Sequence, residues 1–396
     1  MSANQDPHHP LAPPWRSDAG SVEGFVGIDA LALPAVFSGA AYYIYHLTKS
    51  LLETSRLFPI AVFCRPQHRP LFAGLLRPGD KIIPVPLERR AARLYFYEFK
   101  LKSLLIKENI RVFYATHYIC PAADARYYLV SAFHDMGFLL FPRFYPLLKR
   151  LYFGRRMRTF LSRSDRVVAI SRSTAAAIGS LFPEYAPRVA VIYPGTDHLL
   201  DADAPAPLSP RVEPPFILAV NTFEVRKNIP FIIRLFNHLK STRRLAHRLL
   251  VVGQPANGYK KILAEIRRSP FRRDIVLASA IPAEELSFYY RHCDFFLNAS
   301  EYEGFGFTPF EALSHGCPAF LYKNNAVAEF LGDHPYIFEH LEVEIWAERI
   351  GQEMAASFRG KIAPETIRNL SWQNTARETR QLLEQVISTG EPRLVP

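Results

Sequence analysis

Short apolar runs alternating with amphipathic stretches mark the chain from residue 25 onward. The first run, 25–28, leads into a loop holding Pro34 and Ser38-Gly39, and apolar residues at helical spacing follow over 42–52. Strand, loop, helix is how a doubly wound α/β domain opens. Further runs at 60–63, 81–85, 112–114, 128–133, 166–170 and 189–193 predict the other strands of this half. The rhythm stops at 198–215, a stretch crowded with proline, alanine and acid, which has the composition of a linker. It then restarts, with strands predicted at 216–220, 248–252, 274–278 and 294–298 and helices at 231–240, 259–268, 283–292 and 309–315. Alternation this regular predicts parallel sheets covered by helices. A last amphipathic stretch, 373–387, follows Trp372.

A chain of 396 residues is long enough for two α/β domains. The expected division is a polar, proline- and histidine-rich tail over 1–22, a first domain over 23–198 and a linker over 199–215. A second domain follows over 216–371, and a C-terminal segment over 372–396 whose helix packs back on the first domain.

Charge separates the halves. Residues 1–200 carry 25 Lys and Arg against 14 Asp and Glu, and the remainder carries 23 of each, so the whole net charge of +11 belongs to the first half. That half is expected to face something anionic. Two stretches, 88–107 and 141–166, interleave these cations with aromatic and aliphatic residues. Such a mixture suits a helix lying in an anionic membrane interface, and equally a core-facing helix with a solvated basic back. No recognised nucleic-acid motif accompanies the charge, so nucleic acid is not the expected partner. The four cysteines (Cys64, Cys120, Cys293 and Cys317) have no close spacing that suggests zinc or redox chemistry. Residues 1–20 lack the pattern of a signal peptide, and no window has the roughly 18 apolar residues of a membrane span. The expected location is the cytoplasm, with any membrane contact peripheral.

Residues 298–318, NASEYEGFGFTPFEALSHGCP, are the most informative stretch. A buried strand runs into Glu303-Gly304-Phe305-Gly306, and a helix begins near Pro309. Ligands bind at the carboxyl ends of parallel strands. Glycines let the backbone approach a ligand closely, and the amides of a helix start can hold a diphosphate. A structural reading competes: Thr308-Pro309-Phe310-Glu311 has the form of a capping box, in which Glu311 would serve only a backbone amide.

The pattern Ser300, Glu303-Gly304-Phe305-Gly306, Glu311-Ala312-Leu313 and Gly316-Cys317-Pro318 resembles glycosyltransferase family four. Members of that family are retaining enzymes of GT-B architecture, with two Rossmann-like domains facing across a cleft. By that resemblance Glu311 binds the ribose hydroxyls of a nucleotide sugar, Glu303 lies beside the transferred sugar, and Gly304, Phe305 and Gly306 receive sugar and phosphate. Glu224-Val225-Arg226-Lys227-Asn228 resembles the family's element whose lysine pairs with the donor diphosphate. Lys227 takes that role, with Arg226 beside it. Many relatives carry an Arg shortly after the preceding strand, where this chain has Asn221-Thr222, so Thr222 takes a donor-side position. His134-Asp135 resembles a pair whose histidine approaches the sugar across the cleft. Ser38 and Gly39 match a small-residue loop bordering the acceptor. Ser171 and Gly195 match strand ends facing the cleft, and Glu329, before Gly332-Asp333, reads as structural.

The resemblance implies transfer of a hexose, with mannose as first guess, from a nucleoside-diphosphate sugar to a glycan or lipid-linked acceptor in bacterial polysaccharide or lipopolysaccharide assembly. It implies no cofactor and no metal. Two other functions fit the same motifs: a nucleotide-sugar epimerase of GT-B shape, and a non-catalytic nucleotide-sugar-binding partner in a glycan-assembly complex.

Overall fold

A computed structural model of the chain describes residues 24–34, 37, 39–87, 90–199, 211–279, 281–332, 334, 336–355, 367 and 369–389. The expected tail, most of the expected linker and Ser38 lie outside these residues.

Seven strands form the first sheet: β1 (Phe25–Asp29), β2 (Ile60–Cys64), β3 (Lys81–Pro84), β4 (Ile110–Ala115), β5 (Tyr128–Phe133), β6 (Arg166–Ala169) and β7 (Val189–Val191). Their order is β3-β2-β1-β4-β5-β6-β7, all neighbours being parallel. The second sheet has β8 (Phe216–Val220), β9 (Arg248–Val252), β10 (Ile275–Ala278), β11 (Phe295–Asn298), β12 (Ala319–Tyr322) and β13 (Ile337–Phe338). It is also parallel, in the order β10-β9-β8-β11-β12-β13. In both sheets the strand order reverses beside the first strand, and that reversal opens a crevice at the carboxyl ends. Central strands such as β2 and β8 are buried along their whole length, which explains why they read as continuous apolar runs. The expectation of two parallel α/β domains holds.

The cores show how the domains are joined. Each sheet has one face with its own cluster: Phe113, Phe133 and Phe160 in the first domain, Phe236, Phe320 and Trp346 in the second. The other two faces merge into a single cluster that runs from Val26 and Tyr43 through Trp372 to Phe305 and Phe310. Burying each such aromatic side chain stabilises the fold by roughly 1.5–3 kcal/mol. Helix Trp372–Thr389 crosses back to lie on helix Ala40–Glu53. The Trp372 ring stacks on His46 at 5.3 Å, and Arg380 Nη1 donates to the Ser55 carbonyl at 2.6 Å.

Candidate active site

The two crevices face each other and enclose a cleft of about 290 Å³. Carboxyl ends of strands supply most of its wall: Asn221 and Thr222 after β8, Gly253 and Gln254 after β9, His134 and Asp135 after β5, and the turn 303–308 beyond β11. Gly39 and Tyr42 close it from the first helix of the first domain.

Glu303 lies at the centre, only 5% exposed. Its Oε2 accepts from Arg226 Nη1 at 2.9 Å, and its Oε1 accepts from Lys227 Nζ. Arg226 is fixed from two more sides, donating through Nε to Glu224 at 2.7 Å and through Nη1 to the Tyr302 carbonyl at 2.7 Å. Local sequence builds this arrangement: a single turn of 3₁₀ helix over Val225–Lys227 ends at Asn228, whose left-handed backbone redirects the chain into helix Ile229–Arg243. Burial alone would raise the Glu303 carboxyl, but Lys227 and Arg226 outweigh it and hold it down at about 2. Lys227 is pushed the other way, since burial and the adjacent guanidinium depress its ammonium against the pull of Glu303. A buried lysine and a half-buried arginine are thus assembled on one carboxylate at the edge of an open cleft, where an incoming anion can share them.

Glu311 does not cap its helix. Gly306, at φ +92°, takes the N-cap position, and the helix runs Phe307–Ser314, two residues ahead of the expected start. Thr308 therefore falls within the first turn, and no capping box forms. The Glu311 carboxylate instead accepts from Tyr290 Oη at 2.8 Å. His198 Nε2 lies 3.2 Å from its other oxygen, off the line of a hydrogen bond. Neither Tyr290 nor His198 stood out in the sequence: the first reads as one aromatic on a core-facing helix, and the second lies at the end of the first domain.

His134 Nε2 is 2.8 Å from the Thr116 carbonyl. A carbonyl only accepts, so Nε2 carries the proton; burial lowers the ring's pKa, and Nδ1 is left as an acceptor. The Gly304 backbone is pressed against the first domain: a Cβ there would stand 1.9 Å from the His134 carbonyl oxygen. Ser171, expected on the acceptor side, is fully buried. It N-caps helix Arg172–Leu181 through Thr174 and donates to the Gly304 carbonyl at 2.6 Å. Gly195 faces the backbone of Ser371 and Trp372 and not the cleft. Phe305 is 2% exposed and packs edge-on against Phe307, Phe310 and Phe330. Lys227, Arg226, Glu303, Gly304, Gly306, Glu311, Thr222, His134 and Gly39 all line one cleft. Among the described residues no cluster of metal-ligating side chains occurs.

Two parallel-sheet Rossmann-like domains enclosing such a cleft are the GT-B architecture of glycosyltransferases. Residues 202–357 match the model of group 1 glycosyl transferases, and residues 37–198 match that of glycosyltransferase family 4. The chain belongs to this glycosyltransferase family. It is similar to the O-antigen chain mannosyltransferase B of Escherichia coli, at 23% identity over 262 residues, 63% of this chain and 68% of that one. Among solved structures, sucrose-phosphate synthase from Thermosynechococcus elongatus superposes with a TM-score of 0.67 at 16% identity, covering 92% of this chain and 99% of that one. Anabaena Alr3699/HepE, in complex with UDP and glucose, superposes at 0.64 with 14% identity, covering 91% and 100%.

Proposed function

We propose that this glycosyltransferase moves a hexose, mannose being the first candidate, from a nucleoside-diphosphate sugar to a glycan or lipid-linked acceptor with retention, in assembly of a bacterial surface polysaccharide. The pairing of Glu303 with Lys227 and Arg226 in the cleft carries this reading. The donor diphosphate competes with Glu303 for the two cations. Charge that develops on the leaving phosphate in the transition state is then met by Lys227, Arg226 and the amides that open helix Phe307–Ser314. Glu311 takes the ribose, and the freed Glu303 carboxylate faces the sugar together with His134 Nδ1. Mannose and the polysaccharide context are supported by the similarity to an O-antigen chain mannosyltransferase, and nucleotide-sugar use by the UDP and UDP-glucose complexes of the Anabaena neighbour.

A thermal-shift panel of GDP, UDP, ADP and their sugar conjugates tests the donor. One nucleotide at about 100 times its Kd is expected to add about 2.7 kcal/mol of stability, and Glu311→Ala to abolish the shift. A panel without a stabilising nucleotide removes the donor assignment.

The same reading places the chain at the inner face of the plasma membrane, held by the basic first domain. Tyr95 and Phe99 project from helix Arg90–Phe99, and Leu147, Leu148 and Leu151 from helix Leu147–Arg163, Leu148 being 82% exposed. Arg143, Lys149, Arg150 and Arg158, near the second group in sequence, are exposed as well. Phosphatidylglycerol-rich vesicles at low ionic strength are expected to sediment the chain, neutral vesicles to leave it in solution, and Leu148→Glu to weaken the association. Full recovery of the wild type in the supernatant of the anionic vesicles would end this assignment. No helix among the described residues is long and apolar enough to cross a membrane.

A further inference from the structure

Glu329 belongs to the second domain, on helix Asn325–Leu331, yet among the described residues its carboxylate is bound by three groups of the first. Its Oε1 accepts from the Arg172 amide at 2.8 Å and from Tyr193 Oη at 2.8 Å, and its Oε2 accepts from the Ser173 amide at 2.9 Å. Arg172 and Ser173 are the first two residues of helix Arg172–Leu181. Their N–H groups have no partner within the helix, and an anion there is favoured by the helix dipole. The third amide, Thr174, is taken by Ser171 Oγ. A carboxylate from one domain thus completes the cap of a helix in the other.

The helix carrying Glu329 also grips the turn at 303. Asn325 Nδ2 donates to the Glu303 carbonyl at 2.9 Å and to Ser173 Oγ, and its Oδ1 accepts from the Glu303 amide at 3.4 Å. Asn324 Nδ2 donates to the Ser300 carbonyl at 3.0 Å. One short element therefore joins the first domain to both backbone groups of Glu303.

We propose that Glu329 is a positioning residue: it latches the second domain onto the start of helix Arg172–Leu181 and so holds the Glu303 turn where the reaction needs it. The inference rests on the reading of Glu303 as the group beside the transferred sugar. Lys227 and Arg226 also touch the Glu303 turn, but their backbone is set by the 3₁₀ turn Val225–Lys227 and that of Glu311 by helix Phe307–Ser314, so the larger effect falls on turnover.

Glu329→Gln keeps the side-chain volume but sets an NH₂ against one of the two amides. It is expected to lower kcat by about 10–100-fold, because misplacement by about 1 Å costs of that order, while the Kd for the nucleoside diphosphate by calorimetry stays within a few-fold. Tyr193→Phe, which removes one donor and leaves both helix amides paired, is the milder variant and is expected to lose several-fold in kcat with the melting temperature unchanged. A double-mutant cycle between Glu329→Gln and Asn325→Ala is expected to be non-additive, since both act through one element. Wild-type kcat in Glu329→Gln and Tyr193→Phe, with Glu303→Gln inactive, overturns the latch. Wild-type turnover in Glu303→Gln itself overturns instead the site reading beneath it. Equal losses in kcat and nucleotide affinity show general loosening and also overturn the latch.

Discussion

Glu303→Gln is expected to reduce turnover by about 10²–10³-fold, the scale on which loss of one preorganised electrostatic group is felt. The substitution has a second consequence, because Glu303 is the shared counter-ion of buried Lys227 and half-buried Arg226. Removing one partner from a buried ion pair destabilises by about 3–5 kcal/mol, moderated here because Gln still offers an oxygen to Lys227 or Arg226. A donor diphosphate restores negative charge at the same place. Nucleotide should therefore raise the melting temperature of the variant by more than it raises that of the wild type, even though the variant turns over poorly. The pH dependence has a defined sign. The Glu303 carboxyl falls from an ordinary 4.5 to about 2 in the fold, so its contribution is complete above the unfolded value and is lost as pH falls through about 2. Acid unfolding of the wild type should include this loss and that of the variant should lack it. Lys227→Ala is expected to match the kinetic loss. Steady-state kinetics with calorimetric nucleotide binding decide the matter, and wild-type kcat in either variant would remove the site assignment.

Gly304→Ala is expected to rival that loss without removing any charged or hydrogen-bonding side chain. The new Cβ would lie 1.9 Å from the His134 carbonyl oxygen, where ordinary contact begins at 3.4 Å. Backbone lies on both sides, so no side chain can rotate away and the domains must part. The bond from Ser171 Oγ to the Gly304 carbonyl would stretch with them. Displacement of about 1 Å at a reacting centre costs about 10²-fold. Nucleotide affinity should change little, since Lys227, Arg226 and Glu311 all belong to the second domain. A kcat near that of the wild type would mean that the closed contact between 304 and 134 is not needed for turnover.

These two residues illustrate what the sequence made legible. The strands of both sheets up to β11 could be read because parallel strands, wholly or partly buried, leave apolar runs bounded by turns. β12 and β13 went unread, since Ile337–Phe338 is too short to show a period. The spacing of Glu303 and Glu311 beyond a buried strand, together with Lys227 after another, located one wall of the cleft. What those residues touch could not be read. The neighbour of Gly304 is a carbonyl in the other domain, so a glycine that looked like room for a ligand is also room for His134. Thr308-Pro309-Phe310-Glu311 has the local form of a capping box, but Gly306 in a left-handed conformation starts the helix earlier and turns Glu311 toward Tyr290. Ser171 matched a strand end, and it does follow β6, but it also caps the next helix and bridges the domains. Each of these contacts joins segments far apart in the chain, where spacing carries no information.

The return of residues 372–389 to the first domain bears on how the protein is made. Leu47, Leu51 and Tyr43 of helix Ala40–Glu53 belong to the shared apolar cluster, and Trp372, Leu383 and Val386 complete it. A ribosome delivers these groups more than 300 residues apart, at about 5–20 residues per second. The nascent first domain therefore waits for tens of seconds with a sticky flank uncovered. Chains released before Trp372 are expected to aggregate through that uncovered flank.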